Sequence, residues 1–232
     1  MLADNLKIVQ GKIEAALQNR KEKKETGDDV TLVAVTKNHA PEVITEALAL
    51  GVECIGENRV QEAKHKKEVL PAGGKWHLIG HLQTNKARQA VALFDLIESV
   101  DSERLLALLN EEAERIGKVQ EVLLQLNIAE EEQKTGFSKE EYQALLPKLD
   151  YYKNIRVRGL MVIAQACTDV EETRPVFAEG YACFCKLKET RPDVDCLSMG
   201  MSNDYTVAIE EGANMVRVGT ALFGQRDYSL KF

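Results

Sequence analysis

Thr31-Leu32-Val33-Ala34-Val35-Thr36-Lys37 is a short apolar, β-branched run that ends on an ammonium group. It reads as a buried strand that carries Lys37 to its C-terminal end. Near the other end of the chain, Met215-Val216-Arg217-Val218-Gly219-Thr220-Ala221 repeats the pattern, with an arginine inside the strand and a Gly-Thr turn after it. Between these runs the sequence alternates strand and helix. Strands are expected near 30–36, 52–55, 76–79, 95–98, 121–127, 157–161, 196–198 and 214–218. Helices are expected between them: from Pro41 to about 50, after Asn58, after Thr84, from Asp101 to about 116, from Ser138, over 171–190, and from Asp204 to Gly212. A further helix over 4–25, with Leu6, Val9, Ile13 and Leu17 on one stripe, precedes the first strand. Ser138 and Glu141 have capping-box spacing.

Eight buried strands with intervening helices close naturally into a (β/α)8 barrel. The main alternative, a doubly wound open sheet, would place a glycine-rich phosphate loop after the first strand. Here that strand ends on lysine, and the phosphate-like turn follows the last strand, a usual phosphate position in these barrels. The 232 residues are 44% hydrophobic, enough for a core without metals or disulfides, and the expectation is one domain over 1–232. The net charge of -7 argues against binding that works by neutralising nucleic-acid phosphates. Five cysteines, an odd number with no CxxC pair, suit a reduced, cytoplasmic chain. No leader is expected at the N-terminus, and no apolar run reaches the length of a membrane span.

The uncommon polar residues collect where strands end: Lys37, Glu57, Asn58, His81, Asn127, Ser198, Ser202, Arg217 and Thr220. In a barrel these ends share one rim. Partial desolvation of a lysine there can lower its pKa and free the amine to attack an aldehyde; alternatively it is a surface lysine just beyond a strand. The backbone N–H groups of Gly219 and Thr220 suit a phosphate, and Arg217 projects toward the same mouth unless it is a barrel-end ion pair. An imine-forming lysine with a distant phosphate site suggests pyridoxal 5'-phosphate. Beside that ring's nitrogen, a permanently charged guanidinium would weaken the electron sink. Ser198-Met199-Gly200-Met201-Ser202-Asn203-Asp204 is a second turn suited to a dianion, with Asp204 expected to cap the helix. His81 either hydrogen-bonds near the ligand, to Glu57 or Asn58, or joins two loops structurally. Metal chemistry finds no ligand spacing: HExxH is absent, and His77 and His81 straddle a strand-to-loop switch. GxSxG is absent as well.

The chain resembles the YggS/PROSC family of pyridoxal phosphate homeostasis proteins over nearly its whole length. The resemblance rests on Leu32–Lys37, Gly56-Glu57-Asn58-Arg59-Val60-Gln61-Glu62, Trp76-His77-Leu78-Ile79-Gly80-His81-Leu82-Gln83-Thr84-Asn85-Lys86, Leu124–Ile128, Arg158–Met161, Leu197–Ser202 and Val216–Gly224. It implies a barrel like the N-terminal domain of alanine racemase, pyridoxal phosphate fold type III, with an extra N-terminal helix. It implies an internal aldimine between pyridoxal 5'-phosphate and Lys37, phosphate contacts at Ser198, Gly219 and Thr220 helped by the backbone from Met199 to Ser202, and Arg217 at the pyridine nitrogen. Asn58 is expected on the ring or aldimine side, and His81 belongs to the family's GHLQ segment. Many members have Lys or Thr and then Pro just after the lysine; here Asn38-His39-Ala40-Pro41 follows. The segment from Ala129 to Gly136 keeps the family's Lys-x-Gly character and is expected to be a lid or a surface feature.

The implied function is cofactor holding in vitamin B6 homeostasis, with delivery to apo enzymes as partners. The small molecules are B6 vitamers and amino acids; no nucleic acid, metal or membrane is expected, and no catalytic turnover. The alternative is an amino-acid racemase, which needs a second base. In alanine racemases that base is a tyrosine from a β-domain of the other subunit, and here the chain ends at Phe232. Of the tyrosines only Tyr205 is expected near a strand end. Without that domain a monomer is expected. A third reading is a barrel that binds another phosphorylated compound.

Overall fold

The structure is a computed structural model and describes residues 1–129, 135–225, 227 and 229. Strands β1 (Thr31–Val35), β2 (Cys54–Glu57), β3 (Lys75–Leu78), β4 (Leu96–Val100), β5 (Gln120–Leu126), β6 (Ile155–Val162), β7 (Cys196–Met201) and β8 (Met215–Val218) form a closed parallel barrel in sequence order. β1 closes on β8 with Val33 opposite Arg217 and Ala34 opposite Val218. The open-sheet alternative is thereby excluded. Around the barrel lie α2 (Glu42–Ala49), α3 (Val60–Val69), α4 (Ala87–Leu93), α5 (Glu103–Arg115), α6 (Lys139–Leu145), α7 (Arg174–Thr190), α8 (Tyr205–Glu210) and the short α9 (Thr220–Phe223), preceded in the chain by α1 (Leu2–Gln18).

The core has two parts, as the two-residue period of buried strands requires. Val33, Cys54, Leu96, Leu123, Met161, Cys196 and Met215, one from each strand except β3, pack together inside the barrel. Alternate residues such as Ala34, Ile55, Leu78, Ile97 and Leu160 join the larger core shared with the helices.

Several local expectations need correction. The first helix stops at Gln18, not near residue 25; Gly27, with φ 73°, belongs to the irregular stretch before β1. Leu2, Leu6, Val9, Ile13 and Ala16 bury its stripe, and its Asn5 amide donates to the Leu222 carbonyl of α9 at 2.8 Å. Ser102, not Asp101, caps α5, accepting from the Leu105 N–H. Asp204 precedes α8 but turns back, accepting from the Met201 N–H at 2.6 Å. Strand β7 runs on to Met201 instead of stopping at Ser198. The Ser138–Glu141 capping box forms as the spacing predicts. The Lys-x-Gly feature begins at Lys134, outside the described residues, as do Glu130 to Gln133 and Tyr228.

Candidate functional site

A cavity of about 420 Å³ opens at the C-terminal end of the barrel. Its wall includes Lys37 after β1, Asn58 after β2, Ser202 after β7, Arg217 on β8, and Gly219 and Thr220 in the turn that follows. Residues distant in sequence meet there because parallel strands all end on one face. Gly219 allows the last turn to lie against β1: a Cβ on it would sit 3.2 Å from the Val35 carbonyl oxygen. The Ser202 hydroxyl oxygen accepts from the Gly219 N–H at 3.1 Å and the Ala221 N–H at 3.4 Å. Two backbone donors converging on one oxygen are the kind of arrangement that suits an anionic oxygen. Asn58 Oδ1 is buried without a hydrogen-bond partner, an acceptor on the same wall.

Other expected residues lie elsewhere. Ser198 is fully buried and sits below the cavity wall, because β7 continues past it. Met199 faces the opposite way, into the core around α7, where a Cβ on Gly180 would be 2.8 Å from its sulfur. His81 lines a neighbouring polar cavity of about 740 Å³, together with Arg59 and Lys86. Its Nδ1 pairs with Asp101 at 2.9 Å and its side chain is 54% exposed. The loops after β3 and β4 are therefore joined through His81, and its partner is Asp101 rather than Glu57 or Asn58. Tyr205 is buried and does not line the cavity that holds Lys37 and Arg217.

Glu57 also departs from the rim. Its side chain points outward beneath α3, where Lys66 Nζ donates to Glu57 Oε1, Glu62 Oε1 and the Thr36 carbonyl, each at 2.7 Å. Thr36 Oγ1 donates to Glu57 Oε1 at 2.6 Å, and the Asn38 N–H donates to Glu62 Oε1 at 2.7 Å. Asn38 is the only described non-glycine residue with positive φ, 56°, a conformation asparagine tolerates better than most. Lys37 thus stands between two residues pinned by one buried ion cluster. Burial pushes the Glu57 carboxyl up to about 6, against the pull of Lys66, and Glu62 adds to the rise. Neither Lys66 nor Glu62 stands out in the sequence as part of the site. The available signal is a lysine on the buried stripe of a helix, with Val60, Ala63 and Lys66 on one face.

Inside the barrel, below the cavity, lies a second network. Arg217, 3% exposed, donates through Nη1 to Ser198 Oγ and through Nη2 to the Val162 carbonyl at 3.0 Å. Ser198 Oγ donates to Glu98 Oε2 at 2.6 Å, and Glu98 Oε1 pairs with His77 Nδ1 at 2.8 Å. Glu98 was legible only as a charge within the apolar strand Leu96-Ile97-Glu98-Ser99-Val100. Burial opposes the charge on His77, but the bonds to Cys54 and Glu98 outweigh it and raise the imidazole to about 9. Burial likewise opposes ionisation of Glu98, yet His77, Arg217 and Ser198 hold it below the ordinary carboxylate range.

The raised His77 pKa has a measurable consequence. Its stabilisation is fully present below the ordinary value of about 6.5 and is lost as pH rises through about 9. The expected size is about 3 kcal/mol across that window. Urea midpoints measured at pH 6.5 and 9.5 should show the fall in the wild type and a much smaller one in His77→Gln.

The chain matches the family model for the N-terminal domain of alanine racemase over residues 11–227. A pyridoxal phosphate homeostasis protein of Haemophilus influenzae is 36% identical over 97% of this chain and 96% of its own length. Its counterpart in Escherichia coli is 37% identical over 99% of both. Among solved structures, PipY of Synechococcus elongatus with pyridoxal phosphate bound is 37% identical, with a TM-score of 0.83 over 97% of this chain and 100% of that one. An alanine racemase from Clostridium difficile, at 19% identity and a TM-score of 0.73, covers 99% of this chain and 59% of the racemase, a likeness of fold.

Proposed function

The chain belongs to the family of pyridoxal phosphate homeostasis proteins, and from that premise we propose that it binds pyridoxal 5'-phosphate on Lys37 and serves vitamin B6 balance as a holder of the cofactor. The observation that carries the reading is one cavity shared by a lysine at the end of β1, a buried guanidinium at its floor and the Gly219–Thr220 turn at its edge. These residues fit the group. An amine suits the aldehyde, and the guanidinium suits an unprotonated ring nitrogen. The N–H groups that converge on Ser202 Oγ suit the phosphate, and Asn58 Oδ1 is an acceptor beside them. When bound, the cofactor supplies an electrophilic carbon and an electron sink, which Arg217 weakens.

Holding rather than turnover fits the cavity wall. Racemisation needs a base on each face of a substrate carbon. Among the described residues no tyrosine or histidine lines this cavity, and of the other proton-carrying groups on its wall Cys167 donates to the Gln165 carbonyl and Asp204 accepts from the Met201 N–H. Ser198, expected at the phosphate, serves this reading from below by engaging Arg217. In this reading 1–232 is one cofactor-binding domain, cytoplasmic and monomeric. Its ligands are B6 vitamers and its recipients apo enzymes of the same cofactor.

The test is the absorption spectrum of the purified protein before and after borohydride, with mass analysis of the Lys37 peptide. Absorbance near the visible edge and a reduced pyridoxyl group on Lys37 are expected. No adduct after incubation with the cofactor would leave a phosphate-binding barrel of another ligand class. Thr220→Ala should keep the adduct and weaken cofactor retention by about 1.5–3 kcal/mol, the value of a hydrogen bond to a charged group. Equilibrium dialysis checks that loss.

A further inference from the structure

Arg217 carries a charge at a depth where an unpaired guanidinium is costly. Burial lowers its pKa, and Glu98 is the first of the groups that oppose this, ahead of Asp204 and Cys196. The carboxylate is close, at 3.8 Å from Nη1, but reaches the guanidinium through Ser198. Glu98 is itself seated on His77, which also meets Cys54. The result is a chain of contacts across the barrel interior: His77 on β3, Glu98 on β4, Ser198 on β7, Arg217 on β8 and the Val162 carbonyl on β6. Both terminal nitrogens of Arg217 are engaged, so the guanidinium meets the cavity in one orientation.

We propose that Glu98, seated on His77, is a positioning residue of this cavity. It acts through Ser198 to hold Arg217 in one orientation at the floor, so affinity for a ligand with an acceptor atom at that depth depends on a carboxylate the ligand never touches. The proposal rests on the reading that the cavity takes pyridoxal 5'-phosphate. It goes further, because the site then has two separable halves. The half at Gly219 and Thr220 grips phosphate, and the half at Arg217 is set from below by Glu98.

The separation gives the test. Pyridoxal 5'-phosphate and inorganic phosphate are titrated against wild type, Glu98→Gln and Ser198→Ala, with ring-nitrogen NMR of His77 in the same samples. Glu98→Gln should bind the cofactor roughly ten-fold more weakly while inorganic phosphate binds as in the wild type. His77 should stay doubly protonated at pH 8 in the wild type and become neutral in Glu98→Gln. Ser198→Ala keeps every charge and should show the same selective loss, so the test survives if Glu98→Gln fails to fold. Equal weakening of both probes, wild-type cofactor affinity in both variants, or a neutral His77 in the wild type at pH 8 would overturn the proposal. A wild type that binds phosphate but no cofactor would sink the cofactor assignment instead, and the network would then be decided by the His77 signals, which need no ligand.

Discussion

Lys66→Met is expected to cost the fold about 3–5 kcal/mol, the penalty for leaving buried charges without their partner. Lys66 and Glu57 are fully buried and Glu62 nearly so, with one ammonium serving both carboxylates. Methionine fills the volume but leaves Glu57 and Glu62 facing each other. Without the ammonium's pull the Glu57 carboxyl, already raised to about 6 by burial, is raised further. It penalises the variant's fold above that raised value and stops doing so as pH falls toward the ordinary carboxylate value of about 4.3. The gap from wild type should therefore narrow between neutral pH and pH 5. Urea denaturation of both proteins at pH 7 and pH 5 measures it, and a gap under about 1 kcal/mol at neutral pH would show that the cluster is idle. The loss should also reach the site. Thr36 and Asn38 are tied into this cluster, so Lys37 loses the frame that aims it.

Lys37→Ala has a different signature. It should abolish the covalent pyridoxyl adduct completely while leaving the fold intact, because Lys37 is partly exposed at a strand end and outside the buried clusters. Residual cofactor binding should persist through the phosphate turn and Arg217, reversible on dialysis. Borohydride treatment followed by intact mass reads the adduct, and thermal melting reads the fold. An unchanged visible spectrum in the variant would remove Lys37 from the site.

The eight strand–helix steps were legible because each buried strand is a short apolar run punctuated by glycine, proline or a cap, and the rule for parallel strands leaves few arrangements. The same rule brings the strand-end residues Lys37, Asn58, Arg217, Gly219 and Thr220 to one cavity. What the sequence hid is which way each residue faces. Glu57 and Asn58 are neighbours at one strand end, yet Asn58 faces the cavity and Glu57 faces a helix. One residue of slip exchanges the two faces. Strand β7 adds a register shift between Ser198 and Met201, so its end cannot be counted off from its start. Lys66 was hidden differently. A lysine on a helix reads as solvent-facing unless its buried acceptors, here from the residue after β1, from β2 and from its own helix, are already known.

The β1–β8 junction joins the first strand of the barrel to the last, and the cavity has walls on both sides of it. A nascent chain therefore has half a site until β8 emerges, and closing the ring is a contact of very long sequence separation, the slow kind. A molecule that touches Lys37 and the Gly219–Thr220 turn acts as a clasp across that joint. It should slow hydrogen exchange in β1 and β8 more than in β4 and β5. By the same linkage, anything that prises the joint apart releases the clasped molecule. Unloading need not go through the cavity mouth; it can begin with the barrel coming undone at its own clasp.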